Sequence, residues 1–484
     1  FAGSVDGLTN DGSAAESASM GYVGRLKYDY LSKYIIEFSG RYDGNDNFHP
    51  DKRWGFFPAV SAVWMISDEN FMQKLNDKNI LNSLKLRASY GETGISDGVT
   101  RFGYMALYNQ GAMKEYYNAG NILNVTFSEG NLVNPLALTW YTRKSFNVGF
   151  DFASLNNRLE GSLDYFYYKT SGYLMSPNNI YATTLGKPLP EITSGSKHRR
   201  AGFELNLRYK EKRGNWYYEI GGNISYYNQL WEQLDSEDLA TLKNPYTRQT
   251  HEKDYFYSMY LSDGLFQNKE QILNSPRPLP STETSMGDIK YIDANGDGKI
   301  DSNDMRRVGQ PSMPHLNYGF DFRVEYKGWS LSALFQGTGD RYIAMGQQMQ
   351  RGDYASVITK FQADYWTPEN TDARFPRVTK AGYPNGENNA LVTDFFNMNA
   401  KYFRLKNLQI SYNLKRDLLK NCNFIQGCRI TLSGTNLFTV SDVLDFTDPE
   451  AKMIEPDKIE KNLRSISGAS YPVFRTYSLG LNVE

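Results

Sequence analysis

Several things are scarce in this sequence, and each scarcity excludes something. Only two cysteines, Cys422 and Cys428, and four histidines occur in 484 residues. So few ligands argue against a structural zinc site built from Cys and His. The two thiols are either free or joined in a local disulfide, and their spacing fits both. No apolar run reaches the 18 or more residues that a membrane helix needs. Net charge is also missing: 53 Lys and Arg stand against 54 Asp and Glu. Without a basic face, nucleic acid is excluded as a partner. Catalytic signatures are absent too, with no Gly-rich phosphate loop, no His-Glu-x-x-His and no Ser-His-Asp order cue. Carboxylates are plentiful, but nothing opposes two of them as a glycosidase would. The sequence thus predicts a protein that is not an enzyme.

Aromatic residues are abundant, with Tyr 36, Phe 27 and Trp 7. They recur with period two. Tyr22, Leu26, Tyr28 and Tyr30 alternate with Val23, Arg25, Lys27 and Asp29, and Tyr34, Ile36 and Phe38 alternate with Ile35, Glu37 and Ser39. Further alternating runs lie near 56–67, 82–92, 143–153, 158–169, 200–210, 216–228, 317–327, 329–339, 401–414, 429–438 and 474–484. One face of each run is apolar, and the other carries Arg, Lys, Glu, Asp and Asn. Runs of about ten residues match a tilted membrane crossing by strands. Tyr217, Tyr218, Tyr326 and Trp329 at strand ends suit an aromatic girdle.

The connections alternate in length. Those at 31–33, 68–81, 154–157, 211–215, 328 and 415–428 are short or moderate, and those at 44–55, 93–142, 170–199, 229–316, 340–400 and 439–473 are long. Outer-membrane barrels have short periplasmic turns and long external loops; a soluble sandwich has no reason for this order. The fold expected is all-β: part of a large antiparallel transmembrane β-barrel in the outer membrane of a Gram-negative cell, its outer face against the lipid bilayer. The strands number thirteen, an odd count, and the first runs inward from outside. Since single-chain barrels have even counts, residues 21–484 read as the C-terminal part of a larger barrel and 1–20 as the remnant of an external loop.

The external loop 229–316 holds the run Asp293-Ala-Asn-Gly-Asp-Gly-Lys-Ile-Asp-Ser-Asn-Asp304. Oxygen side chains occupy loop positions 1, 3, 5, 9 and 12: Asp293, Asn295, Asp297, Asp301 and Asp304. Gly298 stands at the sharp turn and Lys299 can offer its carbonyl, as a calcium loop requires. The pattern departs from an EF-hand in having Asp at the last position and no amphipathic helix before it. It predicts structural Ca2+ binding, with Mg2+ as the lesser fit because it retains more of its water. External aromatics that could stack on substrate are Tyr104, Tyr108, Tyr116, Tyr117, Tyr257, Phe266 and Trp366. Charges at inward positions, among them Glu37, Arg41, Lys85, Arg87, Asp164, Glu204, Arg208, Arg323 and Glu325, would solvate the lumen and pair across strands.

A set of segments in order resembles one known family. Gly21-Tyr-Val-Gly-Arg-Leu-Lys-Tyr-Asp-Tyr30 is followed by Arg41-Tyr-Asp-Gly44, Arg53-Trp-Gly-Phe-Phe-Pro58 and Leu86-Arg-Ala-Ser-Tyr-Gly91. After the calcium-type loop come Tyr402-Phe-Arg-Leu-Lys-Asn-Leu408, Asn436-Leu-Phe-Thr439, Asp448-Pro-Glu450 and Tyr471-Pro472. Together they resemble the SusC/RagA family of TonB-linked outer-membrane transporters. That resemblance implies a 22-stranded barrel with a plug and a TonB box outside this sequence. It also implies a SusD-like surface lipoprotein as a lid, coupling to the TonB complex, and import of oligosaccharides or peptides. One departure is the end of the chain at Glu484, where outer-membrane barrels commonly end in an aromatic residue.

Overall fold

The computed structural model describes residues 16–105, 108–118, 121–129, 135–175, 192–193, 195–253, 257–277, 283–309, 311, 313–345, 360–378, 387–414, 418–419, 424, 426–450, 465–466 and 473–483. Its frame is a 13-stranded antiparallel sheet in which every strand pairs with the next in sequence. The strands are β1 Ser19–Tyr30, β2 Tyr34–Asn45, β3 Trp54–Met65, β4 Leu81–Ile95, β5 Tyr141–Ser154, β6 Leu159–Ser171 and β7 Lys197–Arg213. They continue with β8 Trp216–Gln233, β9 Leu316–Tyr326, β10 Trp329–Thr338, β11 Tyr402–Asn413, β12 Cys428–Val440 and β13 Thr476–Val483. Each expected strand is present. β1 and β13 are the two edges of the open sheet. No helix among the described residues is long and apolar enough to cross a membrane, so any crossing is made by strands.

The loop alternation holds as well. Lys327 and Gly328 form a two-residue turn between the paired ends Tyr326 and Trp329, with φ of 43° and 90°. Two left-handed residues in succession give the turn whose twist matches the strands, and glycine adopts that conformation without strain. At the other end the strands run past the expected limits: β7 begins at Lys197 and β8 ends at Gln233. Backbone pairing there continues above the apolar band, where apolar alternation stops and the sequence signal with it.

Alternation sorts the side chains to two faces. Leu26, Phe38, Phe56, Phe150, Tyr165, Phe203, Ile220, Phe320 and Leu479 are exposed on the outer face. A water-soluble protein rarely leaves so wide an apolar surface, whereas lipid covers it. On the inner face, charges pair across neighbouring strands. Arg87 on β4 donates to both oxygens of Asp151 on β5 (2.8 and 3.0 Å) and both of Asp164 on β6 (2.9 and 3.0 Å). Arg208 reaches Glu219 and Asp321, and Arg25 reaches Glu37. At the periplasmic end Trp216 stacks on Tyr326 at 4.2 Å and Trp329 packs tilted against Tyr412 at 4.6 Å, both toward lipid. Tyr217 corrects the girdle expectation. Its hydroxyl donates to Glu219 at 2.9 Å and Arg323 lies over its ring, so it faces the lumen. Period two puts Trp216 and Tyr218, not Tyr217, on the outside.

Outside the sheet lies a separate core. Tyr260, Leu265, Ile289, Tyr291 and Ile300 from the β8–β9 loop pack with Met345, Trp366, Phe375 and Phe396 from the β10–β11 loop. Asp288 ties the two loops together from a fully buried position. Arg377 grips it through Nε at 2.7 Å and Nη2 at 3.1 Å, and Asn389 donates at 2.9 Å. Neighbouring side chains make further ties. Asn389 accepts from the Ile289 N–H at 2.8 Å, Asn388 donates to the Ile289 carbonyl at 2.8 Å, and Asp394 accepts from Ser262 at 2.7 and 2.9 Å. These bonds satisfy backbone groups that burial would otherwise leave unpaired.

Candidate functional site

The calcium-type loop is held at the edge of this external core. Ile300, the eighth loop residue, is buried in the core. The Ile300 N–H donates to the Arg277 carbonyl at 2.8 Å, and the Arg277 N–H donates to the Gly298 carbonyl at 2.9 Å. Gly296 and Gly298 take φ of 78° and 79°, which turn the chain tightly enough to bring both ends together. Asp293 accepts from the N–H groups of Gly296 (2.6 Å), Asp297 (3.3 Å) and Gly298 (2.7 Å). Asp304, fully buried, accepts from Ala294, Asn295 and Asp301 at 2.9, 3.2 and 2.8 Å. Asn295 accepts from Asp297, Asp297 from Lys299 and Asp301 from Asn303.

The first and last acidic residues are thus set as the two ends of one tight ring. Partial burial works against ionisation of Asp293, but the N–H groups of Gly298, Gly296 and Asp297 outweigh it and hold the carboxyl below its ordinary range. The donor set is all oxygen, which suits a hard cation, and Asp293 Oδ2 and Asp304 Oδ2, which each accept a single backbone N–H, keep a second lone pair. As the side chains stand, no three acidic, His or Cys groups among the described residues converge at metal-ligand distances. Burial, followed by the charges of Asp301 and Asp304, raises the Tyr260 hydroxyl above its usual range, which marks how close the loop sits to the core.

A second constellation joins three of the quoted motifs. The external segment after β12 folds back so that Asp448-Pro449-Glu450 meets the inner face of β10, β11 and β12. Arg404 on β11, 1% exposed, donates to Glu450 Oε2 at 2.5 Å, to Asp448 Oδ2 at 2.6 Å and to Thr439 Oγ1 at 2.9 Å. Tyr402 donates to Glu450 at 2.9 Å, and Gln336 donates to both Tyr402 and Glu450. Lys406 reaches Glu450 at 3.1 Å from a bulge where the β11–β12 register shifts. Arg341 donates to the Pro449 carbonyl. Burial raises the Glu450 pKa, but Lys406, Tyr402 and the Arg404 charge overcome it and leave the carboxyl below the ordinary range. Sequence reading marked these motifs separately. An inward-facing Arg on a strand that also carries Tyr402 and Lys406 was the available signal, but the fold-back was not legible.

The aromatic candidates divide. Tyr104 is half-buried, edge-on to His49 at 5.7 Å and to Phe102 at 6.4 Å. Tyr108, Tyr116 and Tyr117 lie on a hairpin, Tyr108–Asn118 with Asn121–Glu129, inside the β4–β5 loop. Tyr257 pairs with Val308 in a short ribbon beside the loop core. Phe266 (5% exposed) and Trp366 (6%) are corrections: both rings are interior, and the Trp366 N–H is spent on Gln267 at 3.0 Å. A ring covered on both faces packs the loops and offers no surface for stacking. Cys428 is a buried free thiol, and Cys422 lies outside the described residues.

A family profile described as TonB dependent receptor-like, beta-barrel, matches residues 2–437. TonB-dependent receptor P26 of Formosa agariphila is 30% identical over 98% of this chain and 47% of its own length. TonB-dependent receptor SusC of Bacteroides thetaiotaomicron is 25% identical over 97% of this chain and 44% of its own. Among solved structures, the RagAB peptide importer in its "open-open" state superposes with a TM-score of 0.71 at 20% identity, over 99% of this chain and 48% of that one. This chain therefore spans about half the length of the curated relatives it matches. The sheet, its lipid-facing wall and the family match agree, and the chain belongs to the TonB-dependent receptor β-barrel family of the outer membrane.

Proposed function

We propose that the full-length protein is an active importer of oligomeric nutrients, oligosaccharides or peptides, energised through TonB and working with a SusD-like surface lipoprotein as lid. The observation that carries this reading is the external body. The β8–β9 and β10–β11 loops share a buried core and the Asp288–Arg377 pair, and so present a fixed surface above the barrel mouth. A receptor that docks a protein lid needs such a surface, because ordering a loop costs on the order of 1–2 kcal/mol per residue. Similarity to SusC and the shared fold with the RagAB peptide importer support the same reading. Tyr104, the hairpin residues Tyr108, Tyr116 and Tyr117, and Tyr257 of the β8–β9 loop are the substrate contacts proposed here.

The loop 293–304 takes Ca2+ in this proposal, through Asp293, Asn295, Asp297, the Lys299 carbonyl, Asp301 and Asp304. The ion stiffens the external body through Ile300 and has no part in chemistry. The test of the importer reading is a pull-down of the full-length protein from detergent-solubilised outer membranes. A stoichiometric surface lipoprotein supports it; recovery of the barrel alone favours a stand-alone receptor for a siderophore or cofactor.

A further inference from the structure

The lipid-facing wall carries a charged row that import does not use. Glu92 on β4 lies directly opposite Lys144 on β5, Lys144 opposite Lys169 on β6, and Lys169 opposite Arg199 on β7. Each stands an odd number of residues along its own strand from a lumen-facing charge: Arg87, Asp151, Asp164 and Arg208 respectively. Successive strand side chains alternate faces, so the row points outward to lipid. Cations directly opposite one another in an antiparallel sheet repel, and this row holds three. Glu92 offsets Lys144 at 3.2 Å and Glu232 offsets Lys169 at 2.6 Å. Arg199 has no ion-pair partner among the described residues. Three cations less two carboxylates leaves one positive charge uncompensated.

The height of the row matters. Lys169 lies ten residues from Leu159 at the periplasmic end of β6. At about 3.3 Å per residue and a tilt of 35–45°, that is about 25 Å, the height of the apolar band. The row therefore stands at the outer rim of the bilayer. The next outward-facing positions below it are Tyr90, Phe146 and Tyr167, themselves paired in register. Cations above rings at this level match a ligand with an anionic head and acyl chains, and a soluble anion would have no use for the rings.

We propose that Lys144, Lys169 and Arg199 form a docking site for the phosphorylated headgroup of an outer-leaflet glycolipid, with its acyl chains lying along the aromatic row below. Such a lipid neutralises the cation row and anchors this side of the barrel, whatever substrate passes through the lumen.

The test uses the full-length protein in detergent, with native mass spectrometry of bound lipid. The probes are phosphorylated lipid A, the same lipid dephosphorylated, and inorganic phosphate alone. The wild type should bind only the phosphorylated lipid. The triple variant K144Q/K169Q/R199Q should lose it, at about fivefold in affinity for each cation removed. The double variant E92Q/E232Q keeps every cation and should bind more tightly than wild type, so it carries the test even if the triple variant fails to insert. Equal binding by wild type and either variant would overturn the site. Equal binding of the dephosphorylated lipid would show that phosphate is not read, and binding of inorganic phosphate alone would replace the lipid with a soluble anion; either result overturns the proposal.

Discussion

Replacing Arg404 by Gln tests how the external segment 441–450 is held. The guanidinium is 1% exposed and serves two carboxylates and a hydroxyl at once. Its loss leaves Asp448 without its cation and Glu450 with Lys406 alone. Breaking a buried ion pair from one side costs about 3–5 kcal/mol, because the remaining charge stays buried without its counter-ion. Lys406 survives and Glu450 is partly exposed, so the lower limit, about 3 kcal/mol, applies. That equals about a hundredfold change in the opening equilibrium of the segment. Hydrogen exchange reads it directly at the amides of Phe446 and Thr447, bonded to the Val443 carbonyl at 2.9 and 2.8 Å, and of Glu450, bonded to Asp448 at 2.8 Å. Exchange there should accelerate while β11 and β12 stay protected. R404K keeps the charge but loses the fork geometry and should fall between. Unchanged exchange in a folded R404Q barrel would refute this account of the segment.

Other consequences follow from the same contacts. Glu450 has a folded pKa below its ordinary value, so its contribution is complete above that value and is lost as pH falls through the lowered one. Protection at residues 446–450, once the intrinsic pH dependence of amide exchange is divided out, should therefore stay flat across neutral pH and fall only in strong acid, and a fall near pH 7 would contradict this. Ile300→Ala should cost the external body about 2–4 kcal/mol, read as faster proteolysis of the β8–β9 loop with the barrel intact. Asp288→Asn, which removes the buried charge that Arg377 grips, should loosen both loops together; loosening of only one would argue against their shared core. If the loop takes Ca2+ as proposed, a chelator or D293A/D297A should loosen it and weaken the proposed lid docking and uptake. Identical loop exchange with and without chelator would argue against the ion.

The sheet was legible almost completely. Its signal is local: period two along each strand, with loop lengths setting which end faces the cell. Strand ends were less legible, because β7 and β8 continue on polar residues above the membrane, where backbone pairing no longer leaves an apolar mark. Tyr217 shows the limit in miniature. A girdle was inferred from composition at a strand end, but face depends on parity, and Tyr217 has the wrong parity. The tight turn of residues 293–304 was legible, since its glycine and Asx spacing is a mechanical pattern. What could not be read was what lies about a hundred residues away in sequence: Asp288 with Arg377 and Asn389, and Ile289 with Asn388. These pairs are formed by loops with no periodicity. For that reason sequence alone puts Phe266 and Trp366 at the surface, whereas both are buried, Trp366 in a core made by two separate loops. Arg404 and Glu450 stood in quoted motifs, but their pairing needed the fold-back of the chain.

The central claim is uptake of oligomers through this barrel. The most direct measurement is accumulation of labelled oligopeptides and oligosaccharides in cells carrying the full-length protein, with and without a working TonB system. The account predicts accumulation of one of these oligomer classes that requires both the protein and TonB. Uptake of neither class, or uptake that persists at the same rate without TonB, would contradict it.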